Sequence, residues 1–205
     1  MIAYKFLRAD RTGPFSGFRW PGPGVWVQAS RDLAACKRGI HACRTRDLPW
    51  WLGEELWQIE LGGEVMLGQH KLVAPAGRLV SRIDGWTTPR GYEFAEACAR
   101  RARGRAVEEL IRVGQRQAAN QLATRETLED SLSTARQLAT DISDMRVSLT
   151  IAGDGAFHAL SGAAATSAYI AAHAALRLEG PAGYAAERTW QSRWLADRLG
   201  LRHDA

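Results

Sequence analysis

The chain has 205 residues, 46% hydrophobic and 24% charged, the balance of a globular protein with enough length for one large domain or two small ones. No apolar run approaches the roughly 18–20 residues that span a membrane, and the N-terminus lacks the basic segment and apolar core of a secretory signal, so a cytoplasmic location is expected. The net charge of +5 and an odd count of three cysteines exclude an acidic protein and argue against a disulfide framework.

The charge is uneven. Residues 1–90 hold 13 basic and 8 acidic side chains, whereas residues 91–205 hold 14 of each. That excess favours acidic partners, nucleic acid and nucleotide phosphates included. Composition changes at the same point: six of the eight tryptophans and six of the seven prolines precede residue 90, and alanine-rich helix formers follow it. The expected fold class is α+β, with a small β-rich domain at 1–90 and a helical domain at 91–205.

In chain order, alternation predicts a strand over Ile2–Arg8, then a Gly/Pro loop that includes Pro21-Gly-Pro-Gly24. Val25–Val27 and Gly39–Cys43 follow as strands. Asp47 is placed as N-cap of a short helical turn with Pro49 in its first turn. Leu56–Leu61 alternates, with Leu56, Gln58 and Glu60 on one side and Trp57, Ile59 and Leu61 on the other. Gly62-Gly63 reads as a hairpin turn into Glu64–Leu67, and strands are expected at Lys71–Ala74 and Arg78–Ile83. Beyond residue 90, helical spacing runs from Tyr92 to Leu122, and Thr124 or Thr127 caps a second helix reaching Met145. Ser148–Ala152 is expected to extend before a break at Gly153-Asp-Gly155. Helices at 157–178 and 182–199 flank Gly180-Pro181.

Chemistry concentrates in Cys36-Lys-Arg-Gly-Ile-His41-Ala-Cys43. Three uses are open. Cys36, His41 and Cys43 are candidate zinc ligands, with Asp47, His70, Cys98 or His158 as a fourth. His41 is a candidate catalytic residue and the cysteines candidate reactive thiols. The segment is otherwise a buried strand, a common place for free cysteine. The tryptophans, Trp50 and Trp51 among them, either stack a base or sugar beside Arg19, Arg44 and Arg46 or build the core of a small β domain. Glu60 on a strand is a candidate general base, although a strand's solvent face commonly carries such a residue. Arg100-Arg-Ala-Arg-Gly-Arg105 either touches nucleic acid or forms a solvated helix face. No phosphate-binding loop, dinucleotide fingerprint or nucleophile elbow is present.

The stretch from Cys36 through Gly39-Ile-His-Ala-Cys43, Trp50-Trp51, Leu56–Val65, His70–Ala74 and Arg78-Leu-Val resembles a domain of unknown function found in phage and bacterial proteins. That family's pattern is a cysteine before Gly-Phe/Leu-His-x-Cys, an aromatic pair, and a strand ending near Gly-Glu/Lys-Val. The resemblance covers about residues 2–86 and implies a domain boundary, with no activity attached. A second, fold-level likeness is to the core of ADP-ribosyltransferases. It implies an NAD-binding first strand at Tyr4–Arg8, with Arg8 as a cofactor contact beside Trp50 and Trp51, and a catalytic glutamate among Glu60, Glu64 and Glu93. The His-Gly-Thr and Arg-x-Ser-Thr-Ser sets of that family are absent from this sequence.

The expectation is a binding or regulatory protein that engages a ligand or protein partner through the Trp/Arg-rich surface around Gly39–Cys43, with self-association through its helices. An NAD-dependent transferase using Arg8, His41 and Glu60 is the second reading, and a zinc-stabilised nucleic-acid-binding domain the third.

Overall fold

The computed structural model describes residues 1–29, 32–34 and 37–202. Its architecture is α+β, with sheets in the N-terminal half and helices in the C-terminal part. Two compact units organise the chain: Met1–Thr87 together with Ser192–Ala205, and Thr88–Gln191. Among the described residues, no helix is long and apolar enough to cross a membrane.

Among the described residues, the first unit holds seven strands: β1 (Ile2–Leu7), β2 (Val27–Gln28), β3 (Ile40–Ala42), β4 (Glu55–Gly62), β5 (Met66–Leu67), β6 (Leu72–Ala74) and β7 (Ala76–Arg82). They form two antiparallel sheets, β1-β4-β7-β2 and β3-β6-β5. The alternation of β4 sets its faces: Trp57, Ile59 and Leu61 turn into the core beside Ala3 and Leu7 of β1. Ile40, Ala42, Leu72 and Ala74 of the other sheet join the same cluster. Trp20, Trp57 and Trp86 are buried, as a small β domain requires of its large aromatics. Two of these three indoles donate to partners within the unit. Trp57 Nε1 donates to Glu55 Oε2 at 3.0 Å, and Trp86 Nε1 donates to Gly53 O at 2.8 Å.

Two local expectations for this unit are corrected. Gly62-Gly63 does not close a hairpin, because both edges of β4 are already taken by β1 and β7. The chain instead leaves the first sheet there, and β5 pairs with β6. Asp47 does not cap the 3₁₀ turn Thr45–Trp50; Arg44 holds the N-cap position without a side-chain bond. The Asp47 carboxylate is buried inside the turn, where it accepts a hydrogen bond from Arg44 Nε.

The second unit is built from α1 (Thr88–Arg112), α2 (Arg116–Ala123), α3 (Leu128–Asp141), α4 (Arg146–Leu160) and the part of α5 (Ala164–Leu199) that precedes Ser192. The helix expected over Tyr92–Leu122 is two helices. Gly114 takes φ +82 between them, a conformation that ends a helix and that only glycine adopts cheaply. Thr127 caps α3, its side chain accepting from Asp130 N at 3.1 Å. Ser148–Ala152 is not extended, and Gly153-Asp-Gly155 does not break the chain; both lie within α4. Close packing does not require either glycine, since an added β-carbon would make only ordinary contacts. A β-carbon at Gly155 would meet Ala102 Cβ at 3.5 Å, and one at Gly153 would meet Ala135 Cβ at 3.7 Å. Helix α5 is interrupted at Gly180, ahead of Pro181.

The arginine run does not form a free cationic face. Arg100 pairs with Glu96, and Arg103 donates to Ser131 Oγ at 2.8 Å. Arg101 and Arg105 turn inward to Glu187, which is fully buried and accepts from Arg101 Nη2 at 2.7 Å and Arg105 Nη2 at 2.8 Å. A buried carboxylate between two guanidiniums ties α5 to α1, and removing one partner leaves the other charges uncompensated. Glu187→Ala is therefore expected to lower unfolding stability by about 3–5 kcal/mol. Thermal or urea unfolding followed by circular dichroism checks this; a loss below about 1 kcal/mol would be that of a solvent-screened pair.

Candidate functional site

The strand β1 is the edge of the first sheet, and β3 is the edge of the second. Among the described residues one β-bridge joins them, with Tyr4 N donating to Cys43 O and Cys43 N to Tyr4 O, each at 2.8 Å. Past that bridge the strands part and a cleft opens. Tyr4, Lys5 and Phe6 form one wall, and His41, Ala42 and Cys43 the other. Trp51, Lys71, Pro14 and Phe15 complete it. Phe15 stands at the mouth, 89% exposed and edge-on to Trp51 at 6.4 Å.

The cleft is basic. Lys5 Nζ crosses the opening to donate to the backbone carbonyl of His41 at 2.6 Å, and lies 5.4 Å from the Trp20 ring centre. Burial pulls the Lys5 amine down from its ordinary value to about 8, against a smaller upward pull from Cys43. His41 is pushed below its ordinary value, first by burial and then by the positive charges of Lys5 and Lys71; a hydrogen bond with the Gly39 backbone acts the other way. The imidazole is thus favoured neutral between two cations. Among the described lining residues there is no carboxylate.

A second cluster sets the position of Lys71. Arg44 bonds the buried Asp47 and also donates through Nη2 to Gly68 O at 3.0 Å and Gln69 O at 2.9 Å. His70 Nδ1 lies 3.5 Å from Asp47 Oδ1. The Trp50 ring stacks on the imidazole at 4.0 Å between centroids and 14° between planes. Trp51 Nε1 donates to His70 O at 2.5 Å. The carbonyls of residues 68–70 and the His70 ring face are engaged, so the adjoining Lys71 enters β6 at a defined place beside the cleft.

The candidates from sequence are distributed as follows. His41 and Cys43 lie on the cleft wall, on the same side of β3. Trp51 lines the cleft, while Trp50 spends one ring face on His70. Arg8 is exposed and donates to Pro14 O at 3.3 Å. Glu60 accepts from Arg78 Nε at 2.7 Å. Register puts Glu60 opposite Ile2 and Leu7 opposite Glu55, so Arg8 and Glu60 stand at opposite ends of β1, roughly 20 Å apart at about 3.3 Å per residue. Arg8 and Glu60 are therefore not brought together. Cys36 lies outside the described residues. Among the described residues, no group of three or more His, Cys, Asp or Glu side chains is placed to hold a metal. Of the fourth-ligand candidates, Asp47 and His70 face each other, and Cys98 is a buried thiol of the helical unit. Burial and the Glu187 charge push that thiol far up.

Sequence reasoning missed Lys5, Lys71 and Phe15. A usable signal existed in composition: of 27 basic residues only Lys5, Lys37 and Lys71 are lysine. Compared with protein-family models, curated proteins and solved structures, the chain matches none of them.

The Lys5 shift has a defined effect on stability. With a folded value of about 8 and an ordinary value of 10.5, the unfolded state binds more protons between those limits. Wild-type stability should then rise, relative to Lys5→Met, as pH increases through that window, and the difference should level off below pH 8. Paired denaturant titrations of the two proteins at pH 7 and pH 9.5 read this; a pH-independent difference would mean that Lys5 titrates as it does in the unfolded chain.

Proposed function

We propose that the protein is a ligand-binding protein whose N-terminal unit takes the anionic group of a small compound in the cleft between β1 and β3, a space of about 60 Å³, with the compound's planar ring resting against Trp51 and Phe15. The observation that carries this is the convergence of Lys5, Lys71 and His41 on one opening with aromatic walls and no carboxylate among its described lining residues. Like charges held close raise the energy of the empty site, and an anion relieves that repulsion while the low-dielectric walls strengthen the contact. Trp51 and the exposed Phe15 offer ring faces or edges for a planar group. The half-buried Lys5 spans the gap as a donor, with a backbone carbonyl as partner that a stronger acceptor on a ligand can replace.

The reading keeps the binding role expected from sequence but moves its centre. Arginine gives way to lysine as the ligand-facing cation, since Arg44 is occupied in holding Asp47 and the Gly68–Gln69 carbonyls. Trp51, more than Trp50, is the aromatic available to a ligand.

Titration calorimetry with phenyl phosphate, phenol and inorganic phosphate separates the contributions. Phenyl phosphate is expected to bind at least about tenfold more tightly than either fragment, and Lys71→Ala to weaken it by about tenfold or more, the size of one charge-assisted hydrogen bond. Equal affinity for phenol and phenyl phosphate, or an unchanged affinity in Lys71→Ala, would remove the anion from the proposal.

A further inference from the structure

Resting on the anion-binding reading above, we propose that Lys5 is a carbonyl-condensing amine whose Nζ forms an imine with an aldehyde or ketone on an anionic, ring-bearing compound seated in the cleft.

Two independent observations converge on it. The first is where lysine occurs. The chain places arginine at all but three of its 27 basic positions, and arginines make its well-formed ion pairs, such as Arg44–Asp47, Arg78–Glu60 and Arg101–Glu187. A guanidinium supplies charge and forked hydrogen bonds but never a free amine. Two of the three lysines line one small cleft. The second observation is the setting of Lys5. Its Nζ donates to a neutral backbone carbonyl, and Tyr4, Phe6, Ala42, Trp51 and Lys71 line the same cleft. Desolvation is one device that turns a lysine into a nucleophile, and burial is what lowers the Lys5 amine. The fall of the Lys5 amine to about 8 accords with that setting.

The chemistry balances without any further reactant. The Nζ lone pair attacks the carbonyl carbon and the C–N bond forms as the C=O π bond breaks. A proton passes from nitrogen to oxygen through His41, the neutral base on the facing wall. The nitrogen lone pair then expels the carbinolamine hydroxyl, which leaves as water with a proton relayed from solvent by His41, and the remaining N–H proton returns to solvent as the imine forms. Amine and carbonyl become imine and water, and nothing is oxidised or reduced. Lys71 receives the anionic group of the ligand and so aims the carbonyl at Nζ.

Reductive trapping tests this on the intact protein. The full chain is incubated with 4-carboxybenzaldehyde or with benzaldehyde in the presence of cyanoborohydride, and adduct formation at Lys5, Lys37 and Lys71 is followed by peptide mass mapping. Exposed Lys37 is the internal reference, so the result does not depend on any variant folding. With 4-carboxybenzaldehyde, Lys5 should be labelled at least about tenfold faster than Lys37, as a desolvated amine with a larger neutral fraction requires. Labelling of Lys5 no faster than Lys37 with both aldehydes overturns the proposal; if phenyl phosphate still binds, the anion-binding reading survives that failure. A Lys5 preference that is equal for the two aldehydes supports the imine and removes the anion instead. Excess phenyl phosphate should protect Lys5 and leave Lys37 unaffected.

Discussion

Among the described residues, a single pair of backbone hydrogen bonds, between Tyr4 and Cys43, joins the edge of one sheet to the edge of the other. Each strand has its remaining neighbour on the far side, β4 for β1 and β6 for β3. Two edges that run together would bury their ladders completely; two that part after one bridge leave a slot with backbone on both walls. Lys5 fills that slot by donating to His41 O, so one side chain both spans the separation and brings a charge into it. The cleft is a consequence of how the two sheets meet.

The other half of the site depends on a turn held from below. Asp47 is buried in the 3₁₀ turn, and the Arg44 guanidinium satisfies it while gripping two carbonyls of the segment before β6. Stacking of Trp50 on His70 and the Trp51 indole bond to His70 O remove the remaining freedom of that segment. Much of what looked like a Trp/Arg binding surface is thus a support. It spends its donors and ring faces on positioning, and it leaves Trp51 and Lys71 at the cleft.

Legibility in the sequence followed the range of the interactions. The faces of β4 were readable because Trp57, Ile59 and Leu61 alternate with more polar neighbours, and the Thr127 cap because its partner is three residues away. The Cys36–Cys43 stretch marked the right region, since His41 and Cys43 lie on the cleft wall. Lys5 was not legible: within Ile2–Leu7 it reads as the polar member of an alternating strand, and its partner is 36 residues away. The glycines of α4 were misread because a local rule treats Gly-x-Gly as a break, whereas the helix Arg146–Leu160 runs through both positions. The arginine run failed as a surface patch for a related reason. Its acceptor Glu187 arrives from α5, more than 80 positions later.

The physical state of the Lys5 amine is the point on which the site rests, and the three lysines of the chain make it directly observable. A pH titration of the side-chain amine resonances by NMR on lysine-labelled protein should resolve three curves. One should have a midpoint near 8, should vanish in Lys5→Arg, and should move on addition of phenyl phosphate. Three curves all centred near the ordinary lysine value of 10.5 would contradict a desolvated amine in the cleft, and with it the chemistry assigned there.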